Sequence, residues 1–239
     1  MSAFIGDTEY SEVFILDDAE PFGISIPKAY VGLLKERNKV KILRAEELAE
    51  DLFILTNGEN RATVVGSGGT VVYTLLKRLG YDADFSLVKM RRKYQRGKLD
   101  GYEIEDGSAN DVLLDDVIGS GGTLAYLSQF YGLESPSAYC LVLSGRLSGI
   151  YREKDGSTVK NIGSVYASRE VKRGDGGFPA IFSSRFLLKR VREDYDYRKY
   201  LSKYVSDVSR VSGLVKDMDL SPFDMLEKEP LQFIKEYGG

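Results

Sequence analysis

The chain has 239 residues, 33 Lys+Arg against 36 Asp+Glu, a net charge of −3, no histidine and one cysteine. That length is ample for a buried core, and 43% hydrophobic with 29% charged residues is the composition of a globular chain. The absent histidine excludes Ser-His and Cys-His catalysis and every His-ligated metal, and the single Cys140 excludes internal disulfides, CxxC pairs and thiolate zinc clusters.

Cys140 sits in the apolar run Ala138–Leu143 and reads as a buried core thiol. The acidic N-terminus lacks a signal peptide's basic start and apolar stretch, and nowhere do eighteen apolar residues run together, so the expectation is a cytoplasmic chain with no membrane partner. Slight overall acidity argues against broad coating of nucleic acid.

In chain order, Pro27 opens a helix running through Ala29 to Glu36, Val40 to Leu43 reads as a strand, and Ala45 to Leu55 as an amphipathic helix. Ala62–Val65 is a β-branched strand that meets Gly66-Ser-Gly-Gly-Thr70, read as a loop, with a helix from Val71 that stops at Gly80. Asp84 to Met90 is a further strand. Asp111–Leu114 is a strand running into Asp115-Asp116, then Gly119-Ser-Gly-Gly-Thr123, then a helix from Leu124 to Tyr131, and Ser137 to Leu143 is again a strand. Strands alternating with helices predict a Rossmann-like α/β fold with an open, mostly parallel sheet flanked by helices. Later, Asp155-Gly156 marks a hairpin within Ile150 to Arg169, Gly174–Pro179 a loop, Phe186 to Val211 helix, and Leu220-Ser-Pro-Phe the start of a final helix. No composition shift marks a linker, so one domain over 1–239 is expected, with its core at about 37–146.

The chemistry concentrates in Val112-Leu-Leu-Asp-Asp-Val-Ile-Gly-Ser-Gly-Gly-Thr123. Open parallel sheets bind ligands in the crevice at the carboxyl ends of their strands. A Gly/Ser/Thr turn entering a helix presents backbone N–H groups and the positive end of the helix dipole to a phosphate. Two carboxylates just upstream accept hydrogen bonds from vicinal hydroxyls, or hold a divalent cation through water. A phosphorylated ribose meets both requirements. With the aspartates at a strand end in an open crevice, Asp116→Asn is expected to cost little stability.

This segment resembles the phosphoribosyl-pyrophosphate (PRPP) signature of type I phosphoribosyltransferases, with three apolar residues before the acids rather than four. The resemblance implies that fold, with a variable hood in 1–36 and 147–239 and a C-terminal helical extension. It implies transfer of 5-phosphoribosyl from PRPP to a nucleobase with release of pyrophosphate, in a homodimer of the nucleotide-salvage kind. Asp115 and Asp116 fall on the catalytic acidic pair, and Gly119, Ser120, Gly121, Gly122 and Thr123 on the 5′-phosphate loop. Gly66, Ser67, Gly68 and Gly69 fall where the family keeps its pyrophosphate loop, although without the basic residue common there. Lys89, Arg91, Arg92, Lys93 and Arg96 fall in the interval of the family's flexible loop, which closes over the site. The resemblance implies Mg2+ bound mainly through PRPP, with no dedicated metal ligands. Asp82 to Met90 followed by basic residues is similar to the purine-type members. Phe178, Phe182 and Phe186, or Tyr195 and Tyr197, are candidates to stack on the base. The alternative is a non-catalytic PRPP- or nucleotide-sensing regulator that uses Lys89 to Lys98 on nucleic acid.

Overall fold

The computed structural model describes residues 11–95, 98–119, 121–144, 150–152, 158–160, 163–171 and 180–239. In chain order, β1 (Ser11–Asp17), a 3-10 turn (Glu20–Phe22), α1 (Lys28–Lys35), β2 (Asn38–Arg44) and α2 (Ala45–Leu55) precede β3 (Arg61–Val65), α3 (Gly66–Arg78), β4 (Asp84–Gln95) and β5 (Lys98–Gly107). Then come β6 (Val112–Ile118), α4 (Gly122–Tyr131), β7 (Ser137–Ser144), β8 (Ile150–Arg152), β9 (Thr158–Lys160), β10 (Val165–Val171) and β11 (Ala180–Ser183). Helices α5 (Ser184–Glu193), α6 (Tyr195–Leu201), α7 (Val208–Val215), α8 (Ser221–Lys228) and α9 (Pro230–Tyr237) follow. None of the described helices is long and apolar enough to cross a membrane.

Six strands form the larger sheet in the order β10-β7-β6-β3-β4-β5, parallel throughout except for the antiparallel β4–β5 edge. Its central strands are continuous apolar runs because both faces are covered. Val64, Leu113, Leu114, Cys140 and Leu141 have no exposed surface. One face belongs to the main core with α2 and α3, where Leu114, Tyr139 and Leu141 point. The other face packs Leu113, Ile118 and Cys140 against Leu124 and Leu127 of α4. A second sheet, β11-β1-β2, is parallel throughout. Its central strand β1 buries Val13, Phe14, Ile15 and Leu16, again an unbroken apolar run.

Several expectations are corrected. Ser11–Asp17, to which the sequence assigned no element, is the middle strand of the second sheet, between β2 and β11. The basic stretch from Lys89 is not a loop: β4 runs on to Gln95 and pairs with β5 as a long hairpin, because Lys89 to Tyr94 find partners from Leu99 to Asp106. Of that group, Arg96 lies outside the described residues, as does the predicted loop 174–179. Strand β6 does not stop before the aspartates but carries them inside it and ends at Ile118.

The glycines after β3 are also not a loop. Gly66 to Gly69 form the first turn of α3, Gly66 entering it at φ +55°. The tight fit of α3 on β6 accounts for two of them: a Cβ on Gly68 would overlap the Asp115 and Asp116 carboxylates, and one on Gly69 would overlap the Leu114 carbonyl oxygen. We expect Gly69→Ala to cost about 2 kcal/mol or more, because the rigid strand backbone cannot yield. Gly32→Ala, in α1 with open space around it, should stabilise by about 0.5–1 kcal/mol through the unfolded chain. Urea-denaturation midpoints compare the two.

Candidate functional site

Strand β3 pairs with β4 on one side and with β6 on the other. The chain leaves β3 through α3 towards β4, and leaves β6 through α4 towards β7, so the connections part between β3 and β6. Such a switch point opens a crevice at the carboxyl ends of the strands. A cavity of about 400 Å³ lies at this end of β6, lined by Tyr102, Asp115, Asp116, Val117, Ile118, Gly119, Gly121, Gly122, Thr123 and Leu124, and by Ile181, Ser183 and Phe186. The last three come from β11 and α5, so the second sheet supplies the facing wall.

The turn from β6 into α4 is built on glycine for a conformational reason. Gly121 is the N-cap of α4 at φ +80°, the left-handed region that a side chain disfavours. The first turn of α4 follows at Gly122 and Thr123, with backbone donors that lack helical partners. Thr123 Oγ1 lies 3.4 Å from the Tyr102 hydroxyl, and the Tyr102 and Tyr126 rings stack at 5.1 Å. These contacts tie the β4–β5 hairpin to the helix end beside the cavity.

The acid pair is held from several sides. Asp115 Oδ1 accepts from the Asp116 amide at 2.9 Å, and Asp116 Oδ1 accepts from the Val117 amide at 2.8 Å. Asp116 Oδ2 accepts from Arg185 Nη2 at 2.7 Å. The other arm of the guanidinium, Nη1, donates to Asp18 Oδ2. Asp18 is fully buried and also accepts from the Ser183 hydroxyl at 2.6 Å, the Ser184 hydroxyl at 2.8 Å and the Arg185 amide at 3.1 Å. Arg185 is 3% exposed, and its guanidinium lies 4.7 Å from the Phe186 ring. Burial alone would favour the neutral forms. The two ion pairs override it, holding the Asp116 carboxyl below the usual carboxylate range and the guanidinium above its own.

Asp115, Asp116, Gly119, Gly121, Gly122 and Thr123 therefore meet at one cavity, while Ser120 lies outside the described residues. Gly66, Ser67, Gly68, Gly69 and Lys89 are not among the residues lining it. Arg91, Arg92 and Lys93 lie on the backbone of β4. Asp116 is not at an open strand end: at 8% exposed and bound to Arg185, it is a buried partner, which reverses the expectation that its substitution costs little. Burial raises the Cys140 thiol well above its ordinary value, with the Asp115 charge adding to the effect, so it stays a neutral core group. No group of three or more metal-ligating side chains occurs among the described residues. Of the two cleft carboxylates, Asp116 is paired with the Arg185 guanidinium at 2.7 Å.

Sequence reasoning missed Asp18, Arg185 and the wall formed by Ile181 and Ser183, and named Phe186 only among several aromatics. A signal for Asp18 was present: Phe14-Ile-Leu-Asp-Asp18 parallels Val112-Leu-Leu-Asp-Asp116 as an apolar strand ending in two acids. No local pattern marks Arg185, whose neighbours in sequence are ordinary α5 residues.

No family model and no curated protein matches the chain. Among solved structures, it is similar to a hypothetical protein from Neisseria gonorrhoeae with bound ppGpp at 14% identity and TM-score 0.37, over 66% of this chain and 89% of that one. It is similar to a purine phosphoribosyltransferase from Pyrococcus horikoshii Ot3 at 15% identity and TM-score 0.36, over 72% of this chain and 92% of that one. An orotate phosphoribosyltransferase from Aeropyrum pernix is similar at 18% identity and TM-score 0.32, over 53% of this chain and 70% of that one.

Removing Arg185 would leave two buried carboxylates without their cation, so Arg185→Met should destabilise by about 3–5 kcal/mol. In the wild type, the stability contributed by ionised Asp116 is complete above about pH 4 and is lost as pH falls through its depressed folded value. In Arg185→Met the sign reverses for Asp116, because burial then raises its carboxyl and protonation relieves it. The gap in melting temperature between wild type and variant should narrow from pH 8 to pH 5. Calorimetry across that range checks it.

Proposed function

We propose that the chain is a phosphoribosyltransferase, moving 5-phosphoribosyl from PRPP to a nucleobase of the purine class with release of pyrophosphate. One observation carries the reading: the acid pair and the amide-rich entrance of α4 line a single cavity at the sheet's switch point. A phosphorylated ribose has an anionic ester at one end and a diol at the other, and the cavity sets donors against the first and a carboxylate against the second. The resemblance of Val112–Thr123 to the PRPP signature points the same way.

In this reading, the amides that open α4 and the Thr123 hydroxyl receive the 5′-phosphate, with the helix dipole favouring the negative charge. Asp115 receives the ribose hydroxyls. When pyrophosphate departs, the ring gains oxocarbenium-like character, and the negative field of Asp115 favours that charge where it develops. The base nitrogen attacks the anomeric carbon and the bond to the pyrophosphate oxygen breaks, so the chain itself chiefly positions and stabilises. Phe186 and Ile181 give the facing wall an apolar surface suited to a flat ring. The hairpin that brings Tyr102 to the cavity is placed to exclude water. Mg2+, carried on the phosphate oxygens of PRPP, would neutralise the leaving group.

A second reading has one observation in its favour. Gly68 and Gly69 are packed against β6 rather than open as a pyrophosphate cradle, which suits a module that binds a ribose phosphate without transferring it.

Incubation with Mg2+, PRPP and a panel of bases should release pyrophosphate with purines. Binding of PRPP without release from any base would establish the sensor instead. Asp115→Asn should lower kcat/KM about a hundredfold with the fold intact. Gly121→Val should weaken ribose 5-phosphate by about tenfold or more, because the side chain disfavours the left-handed turn and crowds the phosphate. Titration calorimetry reads the second effect.

A further inference from the structure

Two adjacent carboxylates are a poor neighbour for an anion, and the first glycine turn, Gly66 to Gly69, contains no lysine or arginine to offset them. The compensating charge comes from elsewhere in the chain. Arg185 Nη2 donates to Asp116 Oδ2 at 2.7 Å, while Val117 N donates to Asp116 Oδ1 at 2.8 Å, so both oxygens of that carboxylate are engaged inside the protein. Arg185 is not part of the cavity lining, although Ser183 and Phe186 beside it are. Its charge-paired contact with the lining is Asp116. Asp18 takes the other arm of the guanidinium and caps the amide of Arg185, which fixes the fork in place.

We propose that Arg185 is a positioning residue for ligand binding: it immobilises Asp116 and cancels its charge, so that the acid pair repels a sugar phosphate less. The inference rests on the ribose-phosphate reading of the cleft and deepens it. It explains how a site with two adjacent acids accepts a ligand bearing several negative charges.

The test is a double-mutant cycle on the full chain, Arg185→Gln against Asp116→Asn, read as affinity for Mg2+-PRPP and for ribose 5-phosphate by calorimetry. In the wild-type background Arg185→Gln should weaken binding about tenfold, and in the Asp116→Asn background by less than about twofold, because the charge to be cancelled has gone. Arg185→Lys, which keeps the charge but not the fork, should recover part of the loss, and it takes the place of Arg185→Gln in the cycle if the latter does not fold. Equal penalties in both backgrounds would mean that Arg185 acts on the ligand independently of Asp116, and would overturn the inference alone. Unchanged affinity in a folded Arg185 variant would overturn it too, leaving a purely structural arginine. A wild-type chain that binds neither ligand overturns the ribose-phosphate reading itself.

Discussion

One guanidinium, shared between Asp18 and Asp116, joins three distant parts of the chain. Asp18 directly follows the central strand of the smaller sheet, Arg185 lies in the first turn of α5, and Asp116 lies within a central strand of the larger sheet. An acid just past β1 and an acid inside β6 thus converge on one cation. Neither carboxylate could be buried as an ion without it, and the cation could not be buried without both. The cleft lies beside this contact and takes one wall from each side of it.

The same contact sets the chemistry available to the cleft. An Arg-bound aspartate with both oxygens engaged inside the protein is a fixed point in the wall of the cleft. The turn beside it contributes amides and a helix terminus rather than cationic side chains. Gly121 is the residue on which that geometry turns, because its left-handed conformation aims the start of α4 at the cavity.

The two near-identical glycine segments show how far a local pattern carries. Gly66-Ser-Gly-Gly-Thr70 and Gly119-Ser-Gly-Gly-Thr123 both follow an apolar strand and both open a helix. In the first, Thr70 donates to the Gly66 carbonyl at 2.8 Å and Tyr73 to the Ala83 carbonyl at 2.8 Å, all within packed structure. In the second, Thr123 lines the cavity and Tyr126 stacks on Tyr102. The difference lies in what covers each turn: β6 presses on the first, and open space lies before the second. Spacing is identical in the two, so the sequence carries no mark of it.

The sequence by itself determined the α/β class, the alternation of strands and helices, nearly every element between Lys28 and Ser144, and the segment where acids and glycines meet. Those are local properties, set by apolar periodicity and by residues that start or stop helices within a few positions. Tertiary structure alone decided that the basic stretch would be a hairpin, that β1 would sit at the heart of a second sheet, and that Asp116 would face a cation 69 residues away. Strand pairing and charge burial depend on partners brought together by the packing of two sheets, and such partners leave no period or motif near the residues they control.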